Sequence, residues 1–409
     1  MSHSTSGSLD GVRVVEITTS VAGPLVGQIL GDLGAEVIKV ERVGAGDDTR
    51  AWAPPVWEGE SIAFLHLNRN KRSIELDYKD PRGKEILVEL LRSADVLVQN
   101  LRPGALAKAG LTPEFLAELN PGLIYCDMTG FGRVGPKAAE PAYDPLLQAY
   151  SGIIDMMGTG DGPPMRVPLS VLDKGTGMWA AIGIFDALRR RDRTGKGSHV
   201  GVSLLETAVT WVHANLMGAL AGNGKPKNLG SGHAGVVPYG AFPTSDGYIF
   251  VSAGNQTLWT RFCTAADAEE LLTRDGFGSN PERSANRAEV EAAVAAVTSR
   301  FAVADLLERL NAAGVPCSAV NSVPDLVGDA QVEALGLVEP LEHHSIENFQ
   351  VVNLPVTFDG SYPAHRNAPP RLGADTASIL AELGVPDDEI AALSTDGVIG
   401  ADTAVGSAS

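Results

Sequence analysis

Short apolar segments alternate with segments of helical spacing through the first half of the chain. Apolar runs of this length predict buried strands. They cover residues 12–17, 37–40, 73–76, 96–98 and 123–126. Between them, residues 24–33 and 81–91 have the periodicity of amphipathic helices. Repeated β–α units predict an α/β fold with a large, doubly wound parallel sheet.

The middle of the chain continues this alternation. Residues 167–172 predict another strand, which is followed directly by Asp173 and by a helix over residues 175–190. A strand over residues 199–202 and an apolar helix over residues 206–221 are predicted next. The parallel sheet is therefore expected to extend to about residue 222.

The composition changes at residues 222–235, GNGKPKNLGSGHAG, which predict a linker or a mobile loop. Residues 239–253 then predict a hairpin that turns at residues 245–247, and helical segments follow it. We therefore expect a large α/β domain over residues 1–222. A smaller α+β domain with its linkers is expected over residues 223–330.

The chain is acidic, with a net charge of −18. Nucleic acids and anionic membranes attract Lys and Arg, so this charge argues against both as partners. The three cysteines are far apart, with no CxxC pair, so we expect no disulfide framework. Residues 1–11 are polar and no apolar run is long enough to span a bilayer, which predicts a cytoplasmic protein.

The sequence lacks the motifs of several common cofactor-binding and catalytic sites. The first β–α turn, AGPLVG, lacks the GxGxxG spacing, and Pro24 removes a backbone donor, so we expect no nicotinamide or flavin site. The P-loop, HExxH and GxSxG motifs are absent. His343 and His344 are adjacent and would point in different directions on a regular element, so we expect a solvated loop and no metal site there.

Asp173 is the strongest candidate for chemistry. Between a predicted strand and a predicted helix, it is expected at the carboxyl edge of the sheet, where α/β proteins bind ligands. A helix N-terminus also favours the ionised carboxylate that a nucleophile needs. Asp is equally among the preferred N-cap residues, and the pattern alone favours a simple cap.

A series of segments adds to this interpretation. In chain order they are LDGVRVVEIT, GDLGAEVIKVER, NRNKRSIELD, NLRPGALAKAGL, MTGFGRVGP, YDPLLQA, VPLSVLDKGTG and RLGADTASILAELG. With these segments the chain resembles the class III CoA-transferases, the family that includes formyl-CoA:oxalate and carnitine CoA-transferases. The resemblance implies a transferase that moves CoA from an acyl-CoA to a small carboxylic acid. It places the nucleophile, which forms an aspartyl intermediate, at Asp173.

The resemblance also implies a set of CoA-binding residues. They are Arg42, Leu76, Asn100, Leu101, Lys108 and Tyr143. Relatives often carry a basic residue shortly before the position of Tyr143, where this chain has Glu140-Pro141-Ala142. Lys137 or Arg133 could replace that phosphate contact.

An α-methylacyl-CoA racemase of the same fold is the alternative enzyme. Racemisation needs an acid–base pair, commonly a His with an Asp, on opposite faces of the α-carbon. The position of that His is Tyr143 here, and a phenol with a pKa of about 10 is a poor base at neutral pH. The chemistry therefore favours transfer.

The resemblance implies an interlocked homodimer whose chain returns to the large domain over residues 331–409. It implies acyl-CoA and a small carboxylic acid as substrates, with no tightly bound cofactor. The glycine-rich segment that contains Gly230, Gly232, His233 and Gly235 could act as a lid or supply oxyanion donors, or it could be a flexible linker.

Overall fold

Six parallel strands form the central sheet in the computed structural model, which describes residues 7–160, 162–225 and 228–400. The strands are β1 (Arg13–Ile17), β2 (Glu36–Glu41), β3 (Lys71–Glu75), β4 (Val96–Gln99), β5 (Ile124–Thr129) and β6 (Ser198–Ser203). Their order across the sheet is β3-β2-β1-β4-β5-β6. The strand order therefore reverses between β1 and β4, the point where open α/β sheets form a ligand crevice.

Fourteen helices of six residues or more occur in the described part of the chain. They are α1 (Ala22–Asp32), α2 (Pro81–Arg92), α3 (Pro113–Leu119), α4 (Asp144–Tyr150), α5 (Val171–Thr194), α6 (Leu204–Trp211), α7 (His213–Leu220), α8 (Gln256–Ala265), α9 (Asn280–Ala285), α10 (Arg287–Thr298), α11 (Val303–Ala312), α12 (Ala330–Leu335), α13 (Thr376–Glu382) and α14 (Asp387–Thr395).

Shorter elements complete the described chain. Single helical turns are Asp48–Ala51, Ile62–Leu65, Ala105–Lys108, Ile153–Met156, Glu269–Leu272 and Val323–Leu326. The antiparallel strands are β7 (Tyr239–Pro243), β8 (Tyr248–Ser252), β9 (Cys317–Ala319), β10 (Val338–Pro340) and β11 (Gln350–Val352), with a small hairpin of Val56–Trp57 and Glu60–Ser61.

Alternating residues of β1 pack into two separate apolar clusters. Val14 packs in a cluster with Val26 of α1 and Ile184 of α5. Val15 packs in a second cluster with Leu87 of α2. Because successive strand residues face opposite sides of a sheet, these clusters cover its two faces. The α/β fold with a parallel sheet is therefore confirmed.

The chain separates into two compact units. The first comprises Met1–Ser151, Val167–Leu216 and Leu335–Ser409, and the second comprises Gly152–Arg166 and Met217–Ala334. In the second unit, β7, β8 and β9 form an antiparallel sheet. Its core contains the fully buried Trp259, Phe262 and Phe277.

Two local predictions are wrong. Residues 167–172 form no strand, because their last two residues are the first two of α5. The helix predicted over residues 206–221 is two helices, α6 and α7, which are separated at Val212. The polar start of the chain, residues 1–6, and the end, residues 401–409, lie outside the described residues. No helix among the described residues is long and apolar enough to cross a bilayer.

Candidate active site

Helix α5 begins close to the start of α1. It leads into the parallel strand β6 and therefore crosses back over the sheet, so its first turn lies at the carboxyl ends of the strands. A Cβ on Gly177 would lie 2.8 Å from the carbonyl oxygen of Ala22. A Cβ on Gly175 would lie 2.3 Å from Cζ2 of Trp211. Glycine at both positions therefore lets α5 approach α1 and α6 closely.

Asp173 lies in the first turn of α5. Burial, and then the negative charge of Asp144, raise the pKa of its carboxyl to about 7. In the part of the chain that the structure describes, no side chain or backbone group donates a hydrogen bond to this carboxylate. Asp173 is thus a partly buried carboxyl that is available to react and titrates near neutral pH.

The N-terminus of α5 is capped by Asp144, which opens α4. Asp144 Oδ2 accepts hydrogen bonds from the backbone N–H of Leu172 (2.6 Å) and of Asp173 (3.0 Å). Its Oδ1 accepts a hydrogen bond from Gln148 Nε2 at 2.5 Å. The buried side chain of Asp144 therefore occupies first-turn donors that a helix N-terminus leaves unpaired. Asp173 is not the cap of its own helix.

The loops that follow β1 and β4 are joined at the point where the strand order reverses. Asn100 Oδ1 accepts a hydrogen bond from the Thr19 N–H at 2.9 Å, and Asn100 Nδ2 donates to the Thr19 carbonyl at 2.7 Å. Thr19 Oγ1 donates to Asp48 Oδ2 at 3.2 Å, and Arg42 binds Asp48 Oδ1 at 2.5 Å. The structure therefore brings the predicted residues Arg42 and Asn100 into one connected group.

A buried ionic cluster supports the same loop. Lys39 Nζ lies 2.9 Å from Glu16 Oε1 and 2.8 Å from Asp47 Oδ2. Lys71 Nζ lies 2.8 Å from Glu16 Oε2, and burial lowers the pKa of Lys71 to about 8. Asp47 Oδ1 in turn accepts the N–H of Ser20, which has a positive φ of 70°. Non-glycine residues rarely adopt this conformation, and it persists here because the buried acid fixes it.

The remaining predicted CoA-binding residues are more scattered. Leu76 is 1% exposed within the core, so its side chain is not presented to a ligand. The backbone N–H of Leu101 donates to Gln99 Oε1 at 2.9 Å. Lys108 is exposed at the end of a helical turn, and Tyr143 is exposed just before α4. Their contact with CoA stays a prediction.

Both residues considered as replacements for the missing basic contact form ion pairs. Arg133 binds Asp127, and its guanidinium occupies the space above Gly201. Lys137 Nζ lies 2.8 Å from Glu140 Oε2. To reach a phosphate, Arg133 would have to leave the mostly buried Asp127, and Lys137 would have to leave the exposed Glu140.

The glycine-rich segment belongs to the second unit, and side chains of that unit hold its backbone. Asn280 Nδ2 donates to the Gly235 carbonyl at 2.9 Å. Arg287 donates to the carbonyls of His233 (2.8 Å) and Ala234 (3.1 Å). Gly230 and Gly232 precede this anchored part. The roles of Gly230, Gly232, His233 and Gly235 as lid or oxyanion donors stay predictions.

Three potential metal ligands come together, although no metal site was predicted. They are Glu60, His343 and His344, whose ligand atoms lie within 4.8 Å of one another. His344 Nε2 already binds Glu60 Oε1 at 3.0 Å. His343 Nδ1 is 3.3 Å from the Ser345 N–H that donates to it, which leaves the proton on Nε2. Glu60 and His344 are thus already paired, and Nδ1 of His343 is occupied by a backbone donor.

Sequence patterns had not identified Asp144 or Gln148 as parts of the site. The only local signal is that Gln148 follows Asp144, the first residue of an Asp-Pro pair, by four positions. Residues four apart lie on one face of a helix and can contact each other. The contact of Asp144 with Leu172 spans 28 positions, and local patterns do not report such contacts.

Comparison with known proteins identifies the family of the chain. The model of CoA-transferase family III matches residues 9–376. The succinyl-CoA:glutarate CoA-transferase of Mus musculus is 38% identical over 375 residues, which are 92% of this chain and 86% of that protein. The succinate–glutarate CoA-transferase of Agrobacterium fabrum is 37% identical, over 92% of this chain and 95% of that protein.

A solved structure has the same fold. The crystal structure of a CAIB/BAIF family protein from Brucella suis superimposes with a TM-score of 0.86 and 37% sequence identity, covering 93% of this chain and 100% of that one. A family match over most of the chain, together with relatives of this identity, establishes the class of enzyme. The chain belongs to CoA-transferase family III and is an acyl-CoA:carboxylate CoA-transferase.

Proposed function

We propose that this enzyme moves CoA from succinyl-CoA to a small dicarboxylic acid of the glutarate type, with Asp173 as the covalent carrier. The substrates follow from the names of the relatives in Mus musculus and Agrobacterium fabrum. The observation that carries the assignment of Asp173 is its partly buried carboxyl, which titrates near neutral pH and has no hydrogen-bond donor among the described residues.

The reaction proceeds by four attacks. An Asp173 oxygen attacks the succinyl carbonyl and the C–S bond breaks, giving a mixed anhydride and CoA thiolate. The thiolate attacks Asp173 Cγ and displaces succinate, leaving an aspartyl-CoA thioester. The acceptor carboxylate attacks this Cγ and releases the thiolate, which then attacks the acceptor carbonyl. The new acyl-CoA forms and the Asp173 carboxylate is regenerated, so no net oxidant or proton is consumed.

The environment of Asp173 suits this role. A carboxylate that accepts several hydrogen bonds is stabilised and has a low pKa. Here burial and Asp144 raise the pKa of Asp173 to about 7, so its ionised form is more basic than an ordinary carboxylate. Nucleophilicity increases with basicity among groups of one type, so the ionised Asp173 is a reactive oxygen nucleophile.

We place the CoA cleft at the carboxyl edge between β1 and β4. The Arg42 side chain is 61% exposed beside this edge and could leave Asp48 for a phosphate of CoA. Asn100 would hold the loop that borders the cleft. Lys108 is a second exposed cation, and Tyr143 and the backbone of Leu76 and Leu101 complete the proposed contacts.

We also propose a homodimer in the cytoplasm, with CoA and its esters as substrates and no tightly bound cofactor. The dimer is supported by large apolar side chains exposed on α5, α6 and α7. They are Met178, Trp179, Ile182, Val209, Trp211 and Leu216. A cavity of about 900 Å³ between α1, α5 and residues 349–358 is also lined mainly by apolar side chains. Exposed apolar surfaces of this kind commonly mark protein interfaces.

Mass spectrometry tests the proposed carrier. The enzyme is incubated with succinyl-CoA, with and without glutarate, and trapped with hydroxylamine. We expect a hydroxamate on Asp173, glutaryl-CoA in the presence of glutarate, and neither product from Asp173→Asn. The control Asp186→Asn removes an exposed charge from the same helix and should behave as wild type.

Deuterium incorporation tests the alternative reaction. A racemase would exchange the α-proton of a 2-methylacyl-CoA with solvent and form no adduct on Asp173. That result would contradict the transfer mechanism through Asp173.

A further inference from the structure

The side chain of Asp144 contacts α5 and α4 at the same time. Its Oδ2 receives the N–H groups of Leu172 and Asp173, and its Oδ1 receives Gln148 Nε2. The residue is 2% exposed, so these contacts are made away from bulk water. Two carboxyl groups therefore lie together at the start of α5, one capping the helix and one carried by it.

This arrangement decides which carboxylate is stabilised by the helix. The free N–H groups of a first turn bind and stabilise any carboxylate that reaches them. At α5 the N–H groups of Leu172 and Asp173 are bound by Asp144, so they are withheld from the side chain of Asp173. A substrate carbonyl can therefore meet an Asp173 oxygen that is not already engaged.

Gln148 fixes the capping acid in this position. Besides donating to Asp144, its Oε1 accepts the N–H of Val167 at 2.9 Å. Gln148 is fully buried, so its amide has little freedom to rotate. The orientation of the Asp144 carboxylate is thus set from both sides, by Gln148 on α4 and by the backbone of α5.

We infer that Asp144 is a positioning residue for CoA transfer, which holds the first turn of α5 through its backbone and keeps the Asp173 carboxylate unpaired for attack. This inference rests on the proposed role of Asp173 as carrier. It assigns Asp144 no contact with the substrate. It predicts that the reactivity of Asp173 depends on a side chain 29 positions earlier in the chain.

The test measures formation of the Asp173 adduct from succinyl-CoA over a pH series in wild type and Asp144→Asn. The amide keeps an oxygen for the helix N–H groups, but its nitrogen faces the donor Gln148 Nε2, so the variant loses both the neighbouring charge and the contact that orients the cap. We expect the midpoint of the pH profile to shift down by about one unit and the high-pH rate to fall about tenfold. The KM for succinyl-CoA should stay unchanged. The control Asp186→Asn also removes one negative charge, from the exposed side of α5, and should leave the pH profile unshifted.

A second variant preserves the charge. Gln148→Met removes the donor to Asp144, and we expect it to lower the rate of adduct formation at least about threefold without lowering the midpoint. It decides the question if Asp144→Asn does not fold, as judged by circular dichroism.

The outcomes separate the two hypotheses. An adduct on wild-type Asp173 with an unshifted profile and full rate in Asp144→Asn overturns the positioning role alone. With Asp144→Asn unfolded, a wild-type rate in Gln148→Met overturns it in the same way. No adduct on wild-type Asp173 contradicts the proposed carrier instead.

Discussion

The side-chain amide of Asn100 binds both backbone groups of Thr19, donating to its carbonyl at 2.7 Å and accepting its N–H at 2.9 Å. The amide thus acts as an additional backbone partner beyond the end of β1. The loop after β1 is also held through Asp47, which accepts the N–H of Ser20. The backbone at the point of strand reversal is therefore fixed before any ligand arrives.

Replacing Asn100 by Asp should loosen this loop. A carboxylate still accepts the Thr19 N–H, but its second oxygen faces the Thr19 carbonyl, and two acceptors repel each other. We expect a loss of about 1–3 kcal/mol of unfolding free energy and an increase of several-fold in the KM for acyl-CoA. Urea unfolding and initial-rate kinetics measure the two effects.

Thr19→Val is the matched control, because it keeps the backbone contacts of Asn100 and loses only the hydroxyl. If KM increased as much in Thr19→Val as in Asn100→Asp, the contacts of Asn100 with the Thr19 backbone would not be the cause of the increase.

The pH dependence of transfer should follow the ionisation of Asp173. The attacking form is the carboxylate, and its pKa is raised to about 7 in the free enzyme. We therefore expect kcat/KM to fall about tenfold per unit below pH 7 and to level off above it. Initial rates across a pH series, in buffers of constant ionic strength, provide the measurement. A profile that stays flat down to about pH 5 would contradict a raised pKa for the nucleophile.

The same carboxyl should reduce the stability of the fold at neutral pH. Its pKa rises from 3.8 to about 7 on folding, so the folded state binds more protons than the unfolded state between these values. Wild type should therefore lose stability as the pH rises through this window.

Asp173→Asn removes that loss. We expect it to unfold at the same denaturant concentration as wild type near pH 4, and to be more stable by on the order of 1–3 kcal/mol at pH 8. Denaturant titrations at both pH values test the sign. Greater stability of wild type at pH 8 would show that the Asp173 carboxylate is stabilised by partners.

Gly177→Ala should disturb the site without removing any polar side chain. The added Cβ would lie 2.8 Å from the Ala22 carbonyl oxygen, which belongs to backbone and cannot rotate away. We expect about 1–3 kcal/mol of destabilisation and a clear loss of kcat, because α5 carries Asp173. Thermal unfolding and steady-state rates are the measurements.

Gly218→Ala on α7 is the matched control. Its Cβ would lie 3.9 Å from the side-chain amide nitrogen of Asn223, so the contact is ordinary. Alanine is the better helix former, so this variant should be as stable as wild type or slightly more so. Equal effects of the two substitutions would argue against close packing as the cause.

Local periodicity predicted much of the parallel sheet because each strand is short, apolar and followed by an amphipathic helix. The helix predicted over residues 81–91 is observed over Pro81–Arg92, with Asp80 accepting the Arg82 N–H as its cap. Here the stripe of apolar residues and the cap lie within one segment, so nearby residues contain the whole signal.

The start of α5 could not be predicted in this way. The apolar run before Asp173 is equally compatible with a strand and with a helical turn, and periodicity alone does not separate them. The helical start is stabilised by Asp144, which binds the N–H groups of residues 172 and 173 from a distant part of the chain. The buried contacts of Lys39 and Lys71 with Glu16 are likewise hidden, because they join three different strands.

Gln148 makes two contacts with the backbone of Val167, just before α5. Gln148 Oε1 accepts the Val167 N–H and its Nε2 lies 3.3 Å from the Val167 carbonyl oxygen, so one side chain joins the chain that leaves α4 to the chain that enters α5. Closing a flexible loop of twice the length costs only about 0.6 kcal/mol more. Insertions between these two residues are therefore expected to leave the first turn of α5 in register, because the side chains of Gln148 and Asp144 hold that turn from outside the inserted segment.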